Sequence, residues 1–187
     1  MNPKNLLREE HAETMKMLWV LQRLSKKLMD LEDGEAEAFR TLIEFFEIYV
    51  DRCHHGKEEQ FLFPALSRVR GAEVDSLISS LIDDHRQARV IMEQMKPYAG
   101  IHHSRTGADR KAFSERAERY VELVRRHIRK ETSALLPLIE ESLSETDRLQ
   151  MAEQFQELER AILSSSRLET LLAGVRELSR KYSLEKV

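Results

Sequence analysis

The chain has 187 residues, 41% hydrophobic and 34% charged, with 30 basic and 33 acidic side chains and a net charge of −3. That length supports one sizeable core without requiring two, and the small, intermixed charge excludes the basic footprint of a nucleic-acid binder. A lone cysteine, Cys53, excludes an internal disulfide and fits a reducing, cytoplasmic setting.

The N-terminal stretch MNPKNLLREEHAETMK is charged from its start, and no apolar run approaches the roughly 18 residues of a membrane span. Neither a signal peptide nor a membrane anchor is expected. Asn2-Pro3 reads as a helix cap with a first-turn proline. Glu9 and Glu10 suit the helix dipole, and the apolar pattern then runs to about residue 30 and stops at Gly34. A second helix is expected over about residues 35–70, bent or interrupted at Pro64. Gly71 separates it from a third, over about residues 73–95. Residues 98–109, YAGIHHSRTGAD, read as one long loop carrying His102 and His103. A fourth helix follows over about residues 110–141, with Pro137 near its end, and Ser144 with Asp147 offers a capping box for a fifth.

Strand alternation is absent from the pattern. The fold class is therefore all-α: an up-down-up-down four-helix bundle over residues 1–143, with additional C-terminal helices over 144–187. In that tail Leu168, Leu171, Leu172, Val175, Leu178 and Tyr182 form an apolar stripe. The stripe either packs the last helix onto the bundle or serves a homodimer or a protein partner.

The chain also repeats itself. HHGKEEQFLFP (54–64) laid over HIRKETSALLP (127–137) matches His, Lys, Glu, Leu and Pro at offsets 0, 3, 4, 8 and 10. This register selects His54 with Glu58, rather than His55 with Glu59, as the counterpart of His127 with Glu131. Upstream, His11 precedes His54 by 43 residues and His85 precedes His127 by 42. Two helical hairpins result, each with one lone histidine and one His-x-x-x-Glu pair.

Residues four apart share a helix face. The stripes are Leu7, His11, Met15, Leu18; Val50, His54, Glu58, Phe61; Leu81, His85, Ala88, Met92; and Leu123, His127, Glu131, Ala134, Leu138. Each histidine lies on an apolar face and would point inward. One such histidine is ordinarily a satisfied core residue, but four of them with two carboxylates are costly to bury without cations. Metal binding satisfies all six together. The set is too large for one tetrahedral zinc and too rich in nitrogen for calcium or magnesium. It fits two first-row ions, each taking two histidines, with Glu58 and Glu131 placed to bridge and an oxo, hydroxo or other anion completing the charge balance. Imidazole suits iron, zinc, copper and nickel alike; the dinuclear count with carboxylate bridges leans toward iron.

Over about residues 7–141 these motifs resemble the hemerythrin-like family, whose members hold a di-iron site inside a four-helix bundle. The repeated His-x-x-x-Glu before Leu-Phe-Pro or Leu-Leu-Pro looks most like the branch of di-iron proteins linked to nitrosative stress and iron–sulfur cluster repair. The resemblance implies two iron ions (Fe2+/Fe3+), oxo- or hydroxo-bridged, held by His11, His54, His85 and His127 and bridged by Glu58 and Glu131. It also implies a small diatomic partner, O2 or NO, in sensing or in an oxidative or nitrosative stress response. The alternative is an iron-handling or cluster-repair protein. Two departures weigh against reversible oxygen carriage. Arg89 stands where oxygen carriers have a further histidine, and Thr132 where they have an aspartate. The residues ahead of His11 show no counterpart of the short cysteine-bearing segment common in cluster-repair proteins, so that activity is the less expected one.

Other residues read more plainly. His55, about 100° round the helix from His54, is expected to be solvated or packed, with a supporting or substitute-ligand role as the alternative. Glu59 is expected at the surface beside a cation. Asp84 and Arg89 could orient ligands or hold an anion. Cys53 and Trp19 read as packing residues.

Overall fold

The computed structural model describes residues 2–27, 35–98 and 107–183. The expected break at Gly34 and the loop histidines His102 and His103 lie outside the described residues. Among the described residues all regular structure is helical. The main helices are α1 (Pro3–Lys27), α2 (residues 35–70), α3 (Ala72–Met95), α4 (residues 107–142), α5 (Glu145–Ile162) and α6 (Ser165–Ser183). The first four form the up-down-up-down bundle, and α5 and α6 pack against it. No described helix is long and apolar enough to cross a membrane.

The punctuation behaves as local chemistry dictates. The Asn2 side chain accepts from the Lys4 N–H at 2.9 Å, capping α1. The Ser144 hydroxyl accepts from the Asp147 N–H at 3.1 Å while Asp147 accepts from the Ser144 N–H at 3.3 Å, a complete capping box at α5. Gly71 turns the chain between α2 and α3 at φ 54°, ψ −137°, a region essentially reserved for glycine.

Pro64 does not interrupt α2, nor does Pro137 end α4. Before each proline the helix widens into a π turn, over Glu58–Leu62 and Glu131–Leu135. There the Phe63 N–H reaches the Glu58 carbonyl and the Leu136 N–H reaches that of Glu131. Proline's ring crowds the carbonyl one turn back, and a wider turn relieves that crowding. A longer widened stretch, Phe45–His55, lies earlier in α2. The extra residue per turn moves the inward face by one position. Leu62 and Leu135 are fully buried, whereas Phe61 is half-buried and Ala134 exposed. In α1, likewise, buried Thr14 rather than exposed Met15 follows His11 on the inward face.

Two large clusters make up most of the apolar core among the described residues, beside a small one around Cys53. One cluster gathers Leu18, Leu21, Phe39, Phe46, Val50, Met92, Phe113 and Leu123; the other gathers Leu7, Leu62, Phe63, Ile78, Leu81, Leu135 and Ile139. Every bundle helix crosses from one cluster to the other, and the crossing falls at His11, at His54–Glu58, at His85 and at His127–Glu131. The tail helices extend both clusters: Leu171, Val175, Leu178 and Tyr182 of α6 join the first, Met151 and Phe155 of α5 the second. Four residues of the α6 stripe, Leu171, Val175, Leu178 and Tyr182, are thus buried.

Candidate metal centre

The six sequence-selected residues converge in the polar layer between the two clusters, and all six are buried. His11 Nε2 faces His54 Nε2 at 3.1 Å, and His85 Nε2 faces His127 Nε2 at 3.1 Å. The two glutamates lie between these pairs and offer one oxygen to each. Glu131 Oε2 is 3.0 Å from His11 Nε2 and its Oε1 is 3.0 Å from His127 Nε2. Glu58 Oε1 is 3.7 Å from His54 Nε2 and its Oε2 is 3.4 Å from His85 Nε2. Donor atoms of His11, His54, Glu58 and Glu131 lie within 4.8 Å of one another, as do those of Glu58, His85, His127 and Glu131. The two groups of donors overlap at the two carboxylates.

Whether these residues fit metal ions is decided by their unmet valences. All four oxygens of Glu58 and Glu131 are buried and none is in hydrogen-bond geometry with any group of the chain. An ionised carboxylate in that condition costs several kcal/mol unless a cation takes it. Facing imidazole nitrogens at 3.1 Å likewise suit two lone pairs aimed at one ion. The donor set fits first-row cations.

Behind the inward nitrogens stands a ring of acids. His54 Nδ1 donates to Glu10 Oε2 at 2.8 Å, and His85 Nδ1 donates to Glu59 Oε1 at 2.7 Å. Asp84 Oδ2 lies 3.6 Å from His127 Nδ1. The two hydrogen-bonded carboxylates, Glu10 and Glu59, fix the tautomers of His54 and His85, leave Nε2 free to coordinate and raise its basicity, while Asp84 stands beyond hydrogen-bond reach of His127 Nδ1. Lysines hold the acids in turn: Lys57 donates to Glu10 and, at 2.7 Å, to Glu159 of α5, while Lys130 donates to Asp84 at 2.7 Å. Lys57 and Lys130 are the lysines matched at offset 3 of the repeat, and Glu10 and Asp84 each precede a lone histidine. The repeat therefore encodes the supporting shell as well as the inward set. Sequence reasoning read Glu10 only as suited to the helix dipole, although its adjacency to His11 mirrors that of Asp84 to His85.

The electrostatics follow from this geometry. Burial alone would depress His54, but the charge of Glu58 and the bond to Glu10 hold its pKa above the ordinary value. Burial opposes protonation of His127 too, and Glu131 together with Asp84 overrides it, pushing the pKa up to about 10. Burial would raise the Glu131 carboxyl, yet His127 and His11 hold it well below the usual carboxylate range. Cys53 packs with Ile48 and Leu163, and burial pushes its thiol up to about 12, away from thiolate chemistry.

The expectation for one neighbouring residue changes, and that for another is narrowed. Glu59 is half-buried; it accepts from Arg89 at 2.8 Å, the expected cation, but also from His85. His55 is buried and stacks on His85, ring centroids 3.8 Å apart, because the widened helix turns it toward the centre.

A family model described as "Hemerythrin HHE cation binding domain" matches residues 2–139. Among curated proteins, one described as uncharacterised from Mycobacterium tuberculosis (strain H37Rv) is 18% identical over 182 residues, covering 97% of this chain and 70% of its own. An uncharacterised protein from Mycobacterium bovis gives the same figures. No solved structure matches the chain.

Proposed function

Because the chain belongs to the hemerythrin HHE cation-binding domain family, we propose that it is a non-haem di-iron protein whose small-molecule ligand is O2 or NO, acting in sensing or in an oxidative or nitrosative stress response. In this reading His11 and His54 hold one iron, His85 and His127 the other, and Glu58 and Glu131 bridge them. Residues 1–143 form the iron-holding bundle and 144–187 its covering extension. The observation that carries the reading is the pair of buried carboxylates whose four oxygens lack hydrogen bonds, each directed at both histidine pairs. Iron, when bound, supplies a redox-active centre with affinity for diatomic molecules. The chain contributes orientation through Glu10 and Glu59. It contributes exclusion of bulk water through the apolar clusters on either side.

The test is anaerobic reconstitution with Fe(II), measurement of iron per chain, and the visible spectrum on admitting O2 and, separately, NO. Two irons per chain with new near-ultraviolet bands on oxidation, and a reversible spectral change with NO, are the expected results. Glu58→Ala and His54→Ala are each expected to lose most of the iron, since each removes a donor and leaves its partners unpaired. Zinc retained with no spectral response would sink the reading. Transfer of the iron to an acceptor cluster protein would instead favour the iron-handling alternative.

A further inference from the structure

We propose that His55 is a fifth histidine ligand, completing the subsite of His85 and His127 and making the two halves of the centre unequal. The proposal rests on the dinuclear reading above. A ring nitrogen of His55 lies within 4.8 Å of donor nitrogens of both His85 and His127. Its ring is stacked on that of His85 and stands edge-on to that of His127, with centroids 3.8 and 5.7 Å away.

His55 carries the same support as the inward histidines. Its Nδ1 donates to Asp51 Oδ1 at 3.2 Å, as His54 donates to Glu10 and His85 to Glu59. Asp51 is itself held by Arg89, whose Nε donates to Oδ1 at 2.6 Å while its Nη2 donates to Glu59 at 2.8 Å. One guanidinium thus fixes the acids behind two stacked imidazoles. With Nδ1 given to Asp51, Nε2 is the nitrogen left to coordinate. A cavity of about 110 Å³, lined in part by Asp51, His55, Arg89 and Tyr120, adjoins this side of the centre.

Nothing in the fold demands a histidine here. The corresponding position in the second copy of the repeat is Ile128, which is buried in apolar surroundings. The bundle accommodates a hydrocarbon of similar size at that station, so the imidazole of His55 answers to the centre rather than to packing.

Cobalt(II) is the probe, added anaerobically to the full chain and followed by proton NMR. Each coordinated imidazole contributes one hyperfine-shifted, solvent-exchangeable N–H signal. Wild type is expected to give five, and His55→Ile four, with the weaker-binding ion in the variant held about ten- to a hundred-fold less tightly. Four signals in wild type, with the same count and affinity in His55→Ile, would overturn the proposal while leaving the dinuclear reading intact. A wild-type chain that takes up no second cobalt would overturn both. His55→Gln, which keeps a polar side chain in the layer, gives the same count should the isoleucine variant fold poorly; circular dichroism identifies which variant is native.

Discussion

At the scale of single residues, the metal-free centre is a store of protons. His54, His85 and His127 are buried, which opposes protonation, yet neighbouring carboxylates raise all three above the ordinary histidine value, His127 to about 10. A group whose pKa is raised by folding stabilises the fold fully below its unfolded value near 6.5 and loses that contribution as pH climbs through the folded value. The melting temperature of metal-free protein should therefore fall between about pH 6.5 and 10. The loaded protein has given up those protons already, because coordination requires neutral imidazole. The gap between the two melting curves is expected to widen across that window, and metal uptake at pH 7 should release protons measurable in weak buffer. A gap that narrows with rising pH would contradict the assignment of charge to these histidines.

At the scale of helices, the register of the inward face depends on two prolines and one glycine. The sequence showed the His-x-x-x-Glu repeat, the helix boundaries near Gly71 and Ser144, and the six inward residues, because each signal is local or strictly periodic. It did not show that Leu62 and Leu135 would displace Phe61 and Ala134 from the core. That shift arises from π turns, which ordinary helical periodicity does not contain. Pro64 and Pro137, each ten residues after a histidine, were the available clue. Glu59 was misjudged because its second partner, His85, belongs to a different helix, which no local pattern encodes. Gly71 supports a sharper expectation. A Cβ built on it meets nothing within 4 Å, so Gly71→Ala would be penalised through its backbone alone. Thermal or urea unfolding should show a loss of about 1–3 kcal/mol, with metal stoichiometry unchanged.

Across the whole molecule the two hairpins are near-copies, and α5 distinguishes them. In the first copy Lys57 is covered by Glu159 and almost wholly buried with Glu10; in the second, Lys130 remains partly exposed and reaches Ser80 as well as Asp84. Lys57→Met removes the cation from a buried carboxylate, which typically costs about 3–5 kcal/mol. Lys130→Met interrupts a partly solvated pair and should cost about 1 kcal/mol or less. Chemical denaturation of the two variants reads the contrast directly. Equal losses would mean that the extension does not set the environment of the first subsite.

The splitting of the hydrocarbon core bears on how the chain comes apart. A slab of charge separates two oily halves, and without cations the attraction between its carboxylates and protonated imidazoles fades as pH rises above about 6.5. Calorimetry of metal-free protein is expected to resolve two successive melting steps, one per half, with a van't Hoff enthalpy below the calorimetric one. Loading the centre rivets the halves into one cooperative unit, and a single, sharper endotherm should replace the pair.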